Sequence, residues 1–135
     1  MRVIALDYGS ARCGVAVSDP TGTLATPLEP VLKPNSKRGF AALRDRIAAL
    51  EAERVVVGLP LSLSGGDSAQ TREVREFAER LGRAIAVPVE LYDERFTTSL
   101  ALQAGGTASL DSRAAATLLD EWLQLPIRKE NPPTS

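Results

Sequence analysis

The chain opens on dense apolar runs broken by turn residues. Residues 2–6, 14–18 and 24–32 have strand-like composition, and the stretches between them, 8–12 and 19–23, collect Gly, Ser, Asp, Thr and Pro. Links this short join antiparallel neighbours, so the first third predicts a meander. The period then changes. Ser36 suits a helix N-cap, and Phe40, Leu43, Ile47 and Leu50 recur at helical spacing before the β-branched run at 55–57, which predicts a helix followed by a buried strand. Residues 60–67, with Ser62, Ser64, Gly65 and Gly66, predict a mobile loop. Val74, Phe77, Ala78 and Leu81 mark a second helix that should stop near Gly82, and 86–92 reads as a fifth strand. Two helical pieces, around 98–103 and 112–123, complete the pattern, and the polar, proline-containing 126–135 predicts a frayed tail.

Strands four and five are joined through a helix and should therefore be parallel. The predicted order is βββαβαβ with C-terminal helices: an α/β fold with one mixed sheet, three antiparallel strands followed by two parallel ones. This is the order of ribonuclease H-like folds. With 135 residues and 44% hydrophobic content, one domain over 1–125 with a real core is expected.

Composition removes several chemistries. The chain has no histidine and a single cysteine, Cys13, so Ser-His-Asp and Cys-His catalysis and a structural zinc site are all excluded. Cys13 lies in a predicted strand and reads as a small buried hydrophobe. Any bound metal should be a hard, oxygen-liganded ion such as Mg²⁺ or Mn²⁺. No apolar run is long enough to span a bilayer and the first residues do not resemble a signal peptide, which predicts a cytoplasmic protein with no membrane partner. Sixteen basic and seventeen acidic residues leave a net charge of -1, which argues against a uniformly basic nucleic-acid surface but allows a local basic face.

The acids therefore carry the candidate chemistry, and three positions stand out. Asp7 ends the first apolar strand and meets a turn at Gly9, where a glycine offers φ freedom and close backbone approach. Asp93 and Glu94 fall together where the fifth strand runs out. Alternation allows only one of them to join Asp7, and spacing alone leaves open which. Asp111 heads an apolar stripe of Ala114, Ala115, Leu118, Leu119 and Trp122, so it is aimed at the sheet as well as placed to cap its helix. Asp120 and Glu121 lie off that stripe and are expected to face solvent. Carboxylates converging from separate elements repel unless a divalent cation neutralises them, and two ions about 4 Å apart suit phosphodiester hydrolysis without a histidine.

Four ordered motifs carry a family resemblance: Leu6-Asp7-Tyr8-Gly9-Ser10, Val56-Val57-Gly58-Leu59-Pro60-Leu61, Asp93-Glu94-Arg95-Phe96-Thr97-Thr98, and Leu110-Asp111-Ser112 with Ala114-Ala115. The chain resembles the YqgF/RuvX family. That resemblance implies a ribonuclease H-like fold related to Holliday junction resolvases and a nuclease acting in 5′-end maturation of pre-16S rRNA. It also implies Asp7, Glu94 and Asp111 as catalytic and metal-holding acids, which decides for Glu94 over Asp93. Family members commonly carry a longer, lysine-rich segment before the third acid, whereas residues 96–112 here contain no Lys or Arg.

Phosphate contacts are expected from Arg12, Arg95 and Arg113, one beside each acid, with Gly9, Ser10 and Thr97 adding neutral contacts. The expected partner is nucleic acid, either precursor rRNA or branched or single-stranded DNA, and a homodimer would suit a junction substrate. The competing readings are a Holliday junction resolvase-like DNA endonuclease, a nucleotide-binding protein whose Asp7-Tyr8-Gly9-Ser10 turn serves as a phosphate hairpin, and a non-catalytic ribosome-maturation factor.

Overall fold

A computed structural model describes residues 2–59, 69–93 and 110–124. The expected loop at 60–67, the helix near 98–103 and the tail at 126–135 lie outside the described residues. Among the described residues, five strands, β1 (Val3–Asp7), β2 (Arg12–Ser18), β3 (Ala25–Leu32), β4 (Arg54–Leu59) and β5 (Val89–Asp93), form one sheet in the order β3-β2-β1-β4-β5. β1–β2 and β2–β3 are antiparallel, while β1–β4 and β4–β5 are parallel. The mixed sheet and the element order agree with the expectation.

Among the described residues, three helices cover the sheet: α1 (Lys37–Ala49), α2 (Ala69–Ala84) and α3 (Leu110–Leu123). Period-two alternation divides β1 between two cores. Ile4 and Leu6 join Val55, Val57, Leu43 and Phe77 beneath α1 and α2. Val3 and Ala5 join Ala16, Val56, Leu118 and Trp122 beneath α3. A strand buried on both faces must be apolar throughout, which is why β1 and β4 read as unbroken hydrophobic runs.

Several boundaries moved for identifiable reasons. β5 begins at Val89 rather than at residue 86, because Pro88 has no N–H to donate and instead offers its carbonyl to the Val55 amide at 2.9 Å. α2 passes through Gly82 and runs to Ala84; a Cβ placed on Gly82 would make only ordinary van der Waals contact with Val89, so nothing there requires the helix to stop. Leu24 precedes β3 and is exposed.

Ser36 caps α1 as the sequence suggests, accepting the Gly39 amide at 3.0 Å while its hydroxyl donates to the Lys33 carbonyl at 2.7 Å. Gly39 is needed there for space. A Cβ would stand 2.0 Å from the Lys33 carbonyl oxygen, so only glycine lets α1 lie so close to the end of β3. Lys33 itself turns the chain with φ 45°, and its amide is held by the Ala11 carbonyl at 2.9 Å. The end of β3 and the start of α1 are thus tied to the β1–β2 turn.

Candidate functional site

Asp7 is the last residue of β1 and is half-buried. Alternation from Val3 and Ala5 puts it on the α3 face. Its partner across β2 is Gly14, and the Leu6–Val57 pairing brings Gly58 of β4 beside it on the other flank. Both neighbours lack side chains, so this carboxylate emerges between two stretches of bare backbone.

The turn after Asp7 is tight. A Cβ on Gly9 would lie 2.8 Å from the Arg12 carbonyl oxygen, so close backbone approach fixes glycine here. The expected φ freedom is not used: Gly22 is the glycine with positive φ among the described residues. Ser10 and Arg12 are exposed in this turn, and Arg12 starts β2.

α3 reaches the same place. β2 carries a register shift between Cys13 and Val15, and there the Val15 amide donates to the buried Ser112 hydroxyl at 3.2 Å. Gly14, the partner of Asp7, adjoins Val15, while Asp111 adjoins Ser112. Asp111 falls within the first turn of the helix, which already includes Leu110, so it stands inside the helix rather than at its cap. Neither Ser112 nor the two glycines flanking Asp7 stood out as site-building positions in the sequence. The short Asp-Ser pair at the head of the apolar stripe was the available signal.

β5 supplies the third approach. Glu90 accepts the Trp122 indole N–H of α3 at 2.8 Å, and Tyr92 packs against the core beneath α3. Val89 and Leu91 pack toward α1 and α2. Even-numbered positions of β5 therefore share the face of Asp7, and Tyr92 is in register with Gly58, one strand away from Asp7. Glu94, Arg95 and Thr97 lie outside the described residues, as do the side chains of Asp93 and Asp111. Among the described residues no three acids gather as a metal cluster.

Arg113 is half-buried on α3, and its Nε is buried without a hydrogen-bond partner among the described residues. Asp120 is exposed as expected, but Glu121 is half-buried and accepts the Tyr92 hydroxyl at 3.4 Å. Its backbone position turns it toward β5 rather than wholly to solvent. Cys13 is fully buried, in agreement with its reading as a small hydrophobe.

On the opposite face, Tyr8 anchors the residue next to Asp7. Its ring packs on Phe77 with centroids 4.5 Å apart, and its hydroxyl donates to Glu73 of α2. Burial, followed by the bond to the Glu73 carboxylate and its charge, pushes the Tyr8 phenol well above the usual tyrosine range. Tyr8 is therefore a neutral donor that ties the start of α2 to the end of β1.

Comparison with known proteins gives a consistent picture. Residues 1–125 match the family described as "RuvX: Holliday junction resolvase". A Koribacter versatilis protein named "Putative pre-16S rRNA nuclease" is 50% identical over 97 residues, covering 72% of this chain and 63% of that protein's length. A Gloeobacter violaceus protein of the same name is 37% identical over 130 residues, 91% of this chain and 83% of its own. Among solved structures, T. thermophilus RuvC in complex with a Holliday junction substrate aligns over 97% of both chains with a TM-score of 0.63 and 16% identity. At that identity the likeness speaks for the fold, which is ribonuclease H-like.

Proposed function

From the premise that this chain belongs to the RuvX family, we propose that it is a nuclease that hydrolyses phosphodiester bonds in the 5′-end maturation of pre-16S rRNA. The observation that carries the reading is the placement of Asp7: a strand-end carboxylate on the α3 face, between Gly14 and Gly58, beside the point where Ser112 pins α3 to β2.

In this reading Asp7, Glu94 and Asp111 are the acids of the site. Support for Glu94 over Asp93 comes from the family motif Asp93-Glu94-Arg95-Phe96-Thr97-Thr98, and within the described part of β5 it is Glu90 and Tyr92 that face α3. Support for Asp111 comes from Ser112, which is bonded to the strand residue next to the Asp7 partner.

A donor set of carboxylates without histidine fits a hard divalent cation, and the strand positions beside Asp7 on β2 and β4 are the glycines Gly14 and Gly58. The three acids would hold Mg²⁺ or Mn²⁺. When bound, such an ion supplies activation of water and stabilisation of the charge developing on the phosphate. The protein's own contribution is positional: β1 fixes Asp7, the Val15–Ser112 bond fixes the start of α3, and Tyr8 fixes the backbone after Asp7. Arg12 and Arg113 flank the site and suit phosphate oxygens of the substrate, with Gly9 and Ser10 at the turn. Arg95 and Thr97 complete the proposed contacts.

The test is cleavage of a precursor 16S rRNA leader and of four-way junction DNA, in parallel, with Mg²⁺ or Mn²⁺. Wild type should cut the RNA leader, and Asp7→Asn and Asp111→Asn should each reduce the rate by at least about 100-fold. Equal rates in wild type and the two variants would remove the acid site. Cutting confined to the junction would reassign the substrate to DNA.

A further inference from the structure

A groove of about 460 Å³ runs along the outer edge of the sheet between β3 and α1. Lys33, Arg38 and Arg46 line it, together with Ser36 and an apolar floor that includes Leu32 and Ala42. Among the described residues none that lines it is acidic, in a chain with one more acid than base. Such one-sided charge is unexpected for an ordinary solvated surface of a near-neutral protein.

The groove begins next to the candidate site. Arg12 pairs with Leu32 across β2 and β3, and Lys33 donates its amide to Ala11 in the turn that follows Asp7. Gly14 opposes Asp7, so Arg12 stands two residues farther along β2, or about 7 Å, and Leu32 one strand spacing, about 5 Å, beyond it. Asp7 faces α3 while the groove lies on the α1 side, so a bound strand would pass over the end of the sheet at the β1–β2 turn.

Resting on the nuclease reading above, we propose that this groove holds the backbone of single-stranded RNA flanking the cleaved bond. Cations along a track, with no acid between them, suit successive phosphates, and no aromatic side chain in the lining reads bases, so the contact is independent of sequence. The volume of about 460 Å³ suits about one or two nucleotides of a single strand rather than a turn of duplex. The groove also supplies cations that residues 96–112 lack.

Lys33 and Arg38 are exposed, whereas Arg46 bonds the Glu29 carbonyl and also braces the edge strand. The informative variant is therefore Lys33→Gln with Arg38→Gln. A control, Arg75→Gln with Arg83→Gln on α2, removes the same net charge away from the groove. Binding of a fluorescent single-stranded RNA leader fragment is measured with EDTA present, over a range of salt, alongside thermal melting and cleavage of the same fragment.

The groove variant should melt like wild type and bind about tenfold more weakly at about 0.1 M salt, with the slope of log Kd against log salt reduced by about 1.4, the value for two lost phosphate contacts to a single strand. The control should bind like wild type. Equal binding and slope for the groove variant and wild type would overturn the groove while leaving the acid site standing, because Asp7→Asn tests that site separately through cleavage. Equal weakening in the control would reduce the effect to overall charge and overturn the proposal.

Discussion

The Ser112 hydroxyl accepts the Val15 amide at 3.2 Å, joining the first turn of α3 to a bulged point of β2 across 97 positions of sequence. The bond satisfies a buried strand amide and sets where α3 begins relative to Asp7. Ser112→Ala leaves that amide without its acceptor, at a cost of about 1–3 kcal/mol. Urea unfolding should show this loss, and cleavage by the folded variant should fall because the start of α3 is no longer fixed. Unchanged stability would mean that the helix is placed by its apolar stripe alone.

Much of this arrangement was legible in the chain. Residues such as Val55 to Val57 and the stripe through Leu118 and Trp122 declare themselves, because burial demands the same apolar period whatever the neighbours are. Spacing left Asp93 and Glu94 open, because no local pattern reports which face of β5 meets α3; the Trp122–Glu90 bond shows that face for Glu90. Gly39 was equally silent. Its reason is the carbonyl of Lys33, which no helical periodicity reports.

Gly39→Ala weighs two opposed effects. In an isolated helix alanine would gain about 1 kcal/mol over glycine. Here the added methyl would stand 2.0 Å from the Lys33 carbonyl oxygen and 2.5 Å from that of Leu32, both backbone atoms that cannot swing aside. Overpacking of this kind costs about 1–3 kcal/mol or more, so the net change should be destabilising. Thermal melting of the variant checks the sign, and a higher melting temperature would contradict the packing described for α1.

Glu90 joins three elements. Its two oxygens accept Arg54 of β4 at 2.7 Å and the Trp122 indole of α3 at 2.8 Å. Both members of the ion pair are largely shielded, with side-chain exposures of 14% and 19%, so removing the carboxylate strands an arginine and an indole N–H. Glu90→Ala should cost about 1–3 kcal/mol. Trp122 is the sole tryptophan, so its fluorescence reports the change directly, with a red-shifted emission as water reaches the ring. Glu90→Gln, which keeps an acceptor for the indole, should retain more of the native spectrum.

Tyr8 gives the fold a dependence on alkaline pH. An ordinary tyrosine titrates near 10, and in the folded chain burial and the Glu73 carboxylate raise the Tyr8 phenol above that value. Below about pH 10 the phenol is protonated in folded and unfolded chains alike, so its contribution is complete. As pH rises past that point the unfolded chain loses the proton first, which draws the equilibrium toward unfolding, and the contribution disappears as pH climbs through the folded value. Wild type should therefore lose up to about 1.4 kcal/mol per pH unit from this group. Tyr8→Phe keeps the Phe77 contact, lacks the titrating proton, and should be less stable than wild type at pH values near 8 because Glu73 loses its donor, yet fall less steeply above about 10. Denaturant unfolding of the two proteins across that range measures the difference in slope; parallel curves would show that the proton on Tyr8 is not held more tightly in the folded chain.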